Sequence, residues 1–296
     1  MRSTPKIAMS GTTAGTELFA FVPSFAYGDS TTAPTSGLAS RGNPNFVHHY
    51  LVDATAQNFD VDFRRTSGAA PGAPDWRTIL VGGLGKGGRG YYALDVTDPT
   101  SWTSETAVAG KVLWEFTDPR MGYSFGEPRV VKTAKYGWTM LFSSGYNNSD
   151  GKAYLFLVNP RTGELLEEPI ATTEGSTTTP LDMAHMALFI PSTRDYTVES
   201  VYAGDLQGNV WRFDLRGTGT FAAPTKIARL TDSSGNAQPV TTVPRVAVDA
   251  ASSKRYVAVA TGRLLADSDI SDGQRQTIYV IADGTATDGS FFTAAT

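Results

Sequence analysis

A glycine-rich turn joins two β-type runs in the stretch Thr78-Ile-Leu-Val-Gly-Gly-Leu-Gly-Lys-Gly-Gly-Arg-Gly-Tyr-Tyr-Ala-Leu-Asp95. Branched and aromatic side chains favour extended strands, and glycines permit the tight turn between them. The first strand ends on small residues, whereas the second carries large aromatic ones. The pattern predicts a β-hairpin whose second strand packs its large side chains on a neighbouring sheet.

The second half of this hairpin recurs along the chain as an aromatic and apolar run that ends at Asp, Asn or Pro, in most copies after a glycine. The copies are Gly15-Thr-Glu-Leu-Phe-Ala-Phe-Val-Pro23, Gly90-Tyr-Tyr-Ala-Leu-Asp95, Gly151-Lys-Ala-Tyr-Leu-Phe-Leu-Val-Asn159, Gly208-Asn-Val-Trp-Arg-Phe-Asp214 and Gln276-Thr-Ile-Tyr-Val-Ile-Ala-Asp283. One sheet cannot bury both of its faces, but a ring of sheets can. The repetition therefore predicts an all-β propeller, with a β-sandwich of unrelated hairpins as the alternative.

Helical periodicity is scarce. Only residues 181–189 have helix-like spacing, and the proline at 191 argues against a helix there. Residues 31–45 and 67–74 are rich in small residues and proline, which is typical of exposed loops. We expect Trp114, Trp211 and Phe213 to pack between neighbouring blades.

Composition excludes several classes of function. The chain has 296 residues, a net charge of −4, no basic stripe and no cysteine. These features exclude disulfides and thiolate metal sites, and they argue against nucleic-acid binding. No run is long and apolar enough for a membrane span. Residues 1–11 lack the apolar core of a signal peptide, so we expect any export signal to lie upstream.

No pattern of catalytic residues emerges. The adjacent His48 and His49 would point to opposite faces of a strand, so they are poorly placed to share a metal ion. There is no Gly-x-Ser-x-Gly elbow for a nucleophile. The glycine-dense run 82–90 lacks the order of a phosphate-binding loop and joins two strands. We therefore predict no catalytic residues and no enzyme.

Two acidic turns are candidate calcium sites, because calcium is bound by six to eight oxygen ligands. The better one contains Asp267, Asp269 and Asp272, although it lacks the closing glutamate. The weaker one is Asn147-Asn-Ser-Asp-Gly151. For both, an ordinary solvated turn is the alternative.

Several long motifs resemble the C-terminal domain of the PilC/PilY family of type IV pilus biogenesis factors. They span residues 78–99, 113–118, 122–128 and 202–214, and shorter matches lie at 17–23, 49–53 and 261–265 and through Ile278-Tyr279. The resemblance covers nearly the whole chain. It implies a modified seven-bladed propeller over residues 1–296, as one domain at the C-terminal end of a larger protein.

The resemblance also implies a function. Such a protein promotes pilus assembly or opposes retraction, supports twitching motility, and has been given a role in adhesion. The expected partners are minor pilins and, on a host surface, a receptor or glycan. The expected location is the cell surface or the pilus, after export.

The family implies calcium as a cofactor, held by a four-carboxylate loop before the Tyr-Ala-Gly-Asp motif. The matching positions are Pro191, Thr193, Asp195 and Glu199. Only Asp195 and Glu199 carry carboxylates, and two bind calcium far more weakly than four. We therefore predict that this loop binds no metal.

Two other functions remain as alternatives. A quinoprotein-type dehydrogenase is also a propeller, but many such enzymes carry a vicinal cysteine pair, which this chain lacks. A lectin-like adhesin would use exposed aromatic rings, with Trp76, Trp102 and Trp138 as candidates. For each of these tryptophans, packing between blades is the competing interpretation.

Overall fold

The computed structural model describes residues 19–28 and 34–285. Nearly all of its regular structure is β-strand. The strands are β1 (Gln57–Asp62), β2 (Trp76–Gly83), β3 (Tyr91–Asp95), β4 (Val112–Phe116), β5 (Arg129–Thr133), β6 (Gly137–Ser143), β7 (Lys152–Val158), β8 (Ile170–Gly175), β9 (Met186–Phe189), β10 (Ser200–Gly204), β11 (Asn209–Asp214), β12 (Thr225–Arg229), β13 (Arg245–Val248), β14 (Lys254–Ala260) and β15 (Ile278–Thr285).

Helical structure in the described residues is short. The α-helix α1 (Glu105–Ala109) has a single turn, and the Ser104 hydroxyl caps it by accepting from the backbone N–H of Ala107 at 3.2 Å. The 3₁₀ turns are Ser24–Ala26, Leu38–Gly42, Phe63–Arg65, Gly85–Gly87, Pro99–Ser101 and Asp267–Ser271. None of these helices is both long and apolar enough to cross a membrane.

Consecutive strands pair antiparallel and form four separate sheets. The first sheet is β1–β4, the second β5–β8, the third β9–β12 and the fourth β13–β15. Each sheet is a meander, in which every strand pairs with its neighbours in the chain, as in the blades of a propeller. The described residues thus form four sheets, and the predicted count of seven blades stays a prediction.

Burial along the strands shows which faces of the fourth and second sheets are covered. Along β14, Arg255, Val257 and Val259 are buried while the residues between them are partly exposed, so only one face of this sheet is covered. In β7, by contrast, every residue from Ala153 to Val158 is buried. The second sheet is therefore covered on both faces, by the first sheet on one side and the third on the other.

Aromatic side chains fill the space between the first two sheets. The ring of Tyr91 on β3 stacks on Phe142 of β6, with centroids 4.3 Å apart and planes 20° apart. The hydroxyl of Tyr91 donates to the carbonyl of Gly126 at 2.7 Å. The indole N–H of Trp114 on β4 donates to the carbonyl of Pro160 at 2.9 Å. These contacts confirm that the aromatic strand of one hairpin packs on the next sheet.

Two hydrophobic clusters follow from this arrangement. The larger one runs through the first three sheets and includes Trp114, Trp211 and Phe213, which are all buried as predicted. The smaller one lies between the third and fourth sheets, around Tyr202 and Val257. The fold is all-β and its sheets stack side by side, which excludes the two-layered sandwich.

The helix-like spacing at 181–189 does not give a helix. Met186–Phe189 forms β9, and residues 181–185 are irregular. The repeated phrase at 15–23 falls partly outside the described residues, and its described part, 19–23, is not a strand. In the predicted loop 31–45, residues 31–33 also fall outside them, and Leu38–Gly42 makes a 3₁₀ turn.

Candidate functional site

A cleft of about 690 Å³ opens where several loops meet, and its lining also includes Phe25, His48, His49 and Leu265. Tyr50, Lys86, Tyr123, Phe125 and Tyr146 contribute the side chains that define it, and it is called the aromatic cleft below. A cleft of this size is in the range that proteins use to bind small ligands.

Ser124 holds two of these loops together from its fully buried position. Its hydroxyl donates to the carbonyl of Gly90 at 2.8 Å and accepts from the backbone N–H of Leu84 at 2.9 Å. Its own N–H donates to the carbonyl of Gly88 at 3.1 Å. The glycine-rich turn is thereby fixed beside the segment that carries Tyr123 and Phe125.

The loop that carries Tyr50 contacts the same glycine-rich turn through its backbone. The N–H of Asp53 donates to the carbonyl of Leu84 at 3.0 Å, and a Cβ atom at Gly87 would lie only 1.8 Å from the carbonyl oxygen of Leu51. Only glycine fits at such a close approach. The glycines of this run therefore serve a tight loop junction, as the sequence predicted, and not a phosphate-binding loop at a helix.

Two cations lie against the rings of the aromatic cleft. The ammonium of Lys86 is 4.9 Å from the ring centroid of Tyr50, and the guanidinium of Arg89 is 5.3 Å from that of Tyr123. Both distances permit a cation–π attraction. Among the described residues no Asp or Glu lines the cleft, whereas Lys86 does.

The aromatic groups also carry polar edges. The rings of Phe125 and Tyr146 form one wall of the cleft, with their centroids 5.3 Å apart and their planes tilted by 49°. Burial raises the pKa of Tyr146, with the nearby Asp182 adding to the effect, so its hydroxyl stays protonated at neutral pH. The cleft can therefore offer apolar ring faces and hydroxyl donors together.

The two adjacent histidines do not lie in a strand, and both of them line the aromatic cleft. His48 packs its edge on Tyr50, with centroids 5.3 Å apart. The Nδ1 and Nε2 atoms of His49 each lie 3.1 Å from a backbone carbonyl, those of Val47 and Gly37. Within the described residues, no three His, Cys, Asp or Glu side chains come close enough to hold a metal ion.

The loop at 191–199 directs its two carboxylates to different partners. Asp195 is exposed and accepts a short hydrogen bond from the hydroxyl of Thr197. Glu199 points inward, and its Oε1 lies 2.7 Å from the guanidinium of Arg255. Backbone bonds to Lys132 of β5 fix the loop. These residues do not fit a calcium cage, because one carboxylate already neutralises an arginine.

In the acidic turn at 267–272, backbone N–H groups bind two of the three carboxylates. Asp269 is buried and accepts from the N–H groups of Leu265 and Ala266 at 2.8 and 3.0 Å, and these bonds hold the pKa of its carboxyl below the ordinary value. Asp272 accepts from the N–H of Gln274 at 2.9 Å. Asp267 is exposed. In the weaker candidate at 147–151, the carboxylate of Asp150 also has protein partners. It accepts from the backbone N–H of Lys152 and from the hydroxyl of Tyr154.

The tryptophans proposed for glycan contact are mostly covered. Trp102 is 3% exposed and Trp138 7%, and only Trp76, at 55%, is open to solvent. The burial of Trp102 and Trp138 supports the packing interpretation for these two, whereas Trp76 is exposed, so the three indoles do not form one open aromatic platform.

Sequence reasoning did not single out the residues of the aromatic cleft. Tyr50, Lys86 and Tyr123 come from three different stretches, at 49–53, 78–99 and 122–128, each of which carries the family resemblance. The signal was thus present in the motifs, but only the fold shows that they converge on one cleft.

Comparison with known proteins identifies the fold family. The model of the PilY1 beta-propeller domain matches residues 10–294. The chain is 32% identical over 289 residues to a type IV pilus biogenesis factor PilY1 homolog of Xylella fastidiosa, covering 91% of the chain and 18% of that protein. It is 31% identical over 299 residues to the type IV pilus biogenesis factor PilY1 of Pseudomonas aeruginosa strain UCBPP-PA14, covering 91% of the chain and 24% of that protein.

A solved structure supports the same assignment. The crystal structure of the Pseudomonas aeruginosa PilY1 C-terminal domain matches with a TM-score of 0.64 and 26% identity, over 80% of this chain and 50% of that one. The chain therefore spans about a quarter or less of the curated relatives and half of the solved domain. The all-β sheets, the motifs and these matches together show that the chain belongs to the PilY1 beta-propeller domain family.

Proposed function

We propose that this chain acts in type IV pilus biogenesis, as a propeller module that promotes pilus assembly or opposes retraction and contributes to adhesion. The observation that supports the proposal is the family match over residues 10–294, together with relatives that are named type IV pilus biogenesis factors. We expect minor pilins as partners and a location at the cell surface or on the pilus.

A binding role fits the chemistry of the described residues. The buried carboxylates accept hydrogen bonds that hold turns or sheets in place. Asp205, for example, accepts from the indole N–H of Trp211 at 2.7 Å and from the side-chain amide of Asn209 at 3.0 Å. Aromatic side chains and Lys86 line an open cleft. We therefore propose that the chain acts by binding and not by catalysis.

The names of the relatives do not favour the two alternatives. They describe pilus biogenesis, and neither a dehydrogenase nor a lectin. A quinone redox assay with the purified chain would test the first alternative directly, and we expect no cofactor-dependent turnover.

An exchange experiment tests the proposed function. The matching propeller segment of Pseudomonas aeruginosa PilY1 is replaced by this chain, and surface pili and twitching motility are measured. We expect the chimera to restore both, whereas a chimera carrying Trp211→Ala should fail because the propeller is destabilised. A folded, exported chimera that leaves the cells without pili would contradict the proposal.

A further inference from the structure

The aromatic cleft contains hydrogen-bonding groups that nothing in the described chain uses. Tyr50, Tyr123 and Tyr146 all line the cleft, and within residues 19–28 and 34–285 their hydroxyls have no hydrogen-bond partner. Phenol hydroxyls that are open to solvent are able to donate to, and accept from, a ligand. Three such groups around one cavity indicate a ligand that carries several donors and acceptors.

The charge of the cleft narrows the class of ligand. Neither Lys86 nor Arg89 forms an ion pair with a carboxylate in the part of the chain that the structure describes. The lining there contains no acidic residue, although the chain as a whole carries a net charge of −4. The ammonium of Lys86 at the cleft attracts anionic groups. The ligand should therefore carry a negative charge that can reach Lys86.

The backbone around the cleft argues against an extended peptide. Peptides that bind by strand addition need free N–H and C=O groups on the receptor. Here the N–H groups of Gly85 and Gly87 already donate to the carbonyls of Ser124 and Leu84, at 3.3 and 2.9 Å. The cleft offers ring faces and side-chain polar groups instead. Sugar rings match this pattern, because their C–H faces pack on aromatic rings while their hydroxyls bond at the ring edges.

We propose that the aromatic cleft binds a carboxylate-bearing saccharide of one or two rings, such as a uronic or sialic acid. The sugar packs on Tyr50 and Tyr123, its hydroxyls bond the three tyrosine hydroxyls, and its carboxylate pairs with Lys86. The inference rests on the adhesion part of the proposed function and names the class of ligand for it. The volume of about 690 Å³ accommodates one or two sugar rings.

Calorimetry and ligand-observed saturation-transfer NMR test the charge requirement. The probes are methyl glucuronide and the methyl glycoside of N-acetylneuraminic acid, with methyl glucoside as the neutral counterpart. We expect saturable binding of at least one acidic sugar, about tenfold tighter than that of the neutral one, which corresponds to about 1.4 kcal/mol. Lys86→Gln should abolish this preference, while Lys152→Gln, at an exposed lysine on β7, should leave it intact.

Two tyrosine variants test the stacking. Tyr50→Ala removes a half-exposed ring, so the fold should keep its melting temperature while the affinity for acidic and neutral sugars falls at least tenfold. Tyr123→Phe keeps the ring and removes only the hydroxyl, so it should cost less. Trp76→Ala is the matched control, because this exposed ring lies outside the cleft and should leave sugar binding unchanged.

Several results would overturn the proposal. These are failure of both acidic sugars to saturate the folded chain, equal effects of Lys86→Gln and Lys152→Gln, or displacement of the sugar by hexaglutamate at equal concentration. Placing Tyr50→Ala in the pilus chimera separates this inference from the proposed function. Pili should still form while adhesion to a glucuronide-coated surface is lost. A chimera that forms pili but binds no sugar leaves the function standing and ends the saccharide assignment.

Discussion

The guanidinium of Arg255 lies 2.7 Å from the carboxylate of Glu199 and joins the fourth sheet to the loop between β9 and β10 of the third. Arg255 is 0% exposed, lies 3.7 Å from the ring centroid of Phe189, and donates to the hydroxyl of Tyr202 at 3.1 Å. That hydroxyl in turn donates to Asp283 at 2.6 Å. A buried network of opposite charges therefore fixes how the two sheets meet.

Removing one partner of this network should be costly. We expect Arg255→Met to lower the free energy of unfolding by about 3–5 kcal/mol, because Glu199 is left buried without its counter-charge. Urea denaturation measures the change. The double variant Glu199→Gln/Arg255→Met should cost clearly less than the sum of the two single variants, since the stranded charge is then gone. Simple additivity would show that the two residues are not coupled.

The same pair leads to a prediction about calcium. We expect no calcium binding at residues 191–199, because Pro191 and Thr193 supply no carboxylate and Glu199 is engaged by Arg255. Calorimetric titration with calcium chloride, and melting curves in calcium and in EDTA, should show no difference. Tight stoichiometric binding that disappears in Asp195→Ala would contradict this. Loss in Asp267→Ala instead would assign the ion to the turn at 267–272.

Trp211 should be a major source of stability for the third sheet. Its side chain is fully buried, and its indole N–H bonds Asp205. Trp211→Ala should therefore cost about 3–5 kcal/mol in the free energy of unfolding, from lost packing and the cavity left behind. Trp76→Ala, at a half-exposed ring, should cost less than about 1 kcal/mol. An unchanged melting temperature for Trp211→Ala would contradict the packing.

His185 should make the chain less stable in mild acid. Burial lowers the pKa of His185 below its ordinary value of 6.5, although the nearby Glu127 opposes the shift. Between the lowered pKa and 6.5, the unfolded chain therefore binds more protons than the folded one. Its unfolding free energy should fall with decreasing pH in that window, by at most about 1.4 kcal/mol per pH unit.

Urea titrations from pH 8 to pH 5 measure this dependence. The variant His185→Gln should show a shallower slope, since its side chain does not titrate. An identical slope in the two proteins would mean that the proton uptake belongs to other groups.

The sequence predicted those features that depend on neighbouring residues. Alternating and aromatic runs at 138–142, 154–158 and 256–260 became strands, and Trp114 and Phe213 are buried between sheets. The interaction of Glu199 with Arg255 was out of reach, because the two residues lie far apart in the chain and meet only through the packing of sheets. The same holds for Tyr50, Lys86 and Tyr123, which no local pattern connects.

At 181–189 the helix-like spacing and the proline at 191 gave opposite indications, and no helix forms. Alternate burial and helical periodicity are difficult to tell apart in short apolar runs, and here Met186–Phe189 pairs with β10 of the same sheet. Tertiary pairing decided the conformation of this segment.

A double-mutant cycle measures the side-by-side packing of the sheets most directly. Tyr91 and Phe142 stack between the first and second sheets, so Tyr91→Ala and Phe142→Ala should be coupled by about 0.5–1.5 kcal/mol in the free energy of unfolding. Tyr91→Ala and Tyr202→Ala, which lie in different clusters, should be additive. Additivity of the first pair, or coupling of the second, would contradict the stacked arrangement.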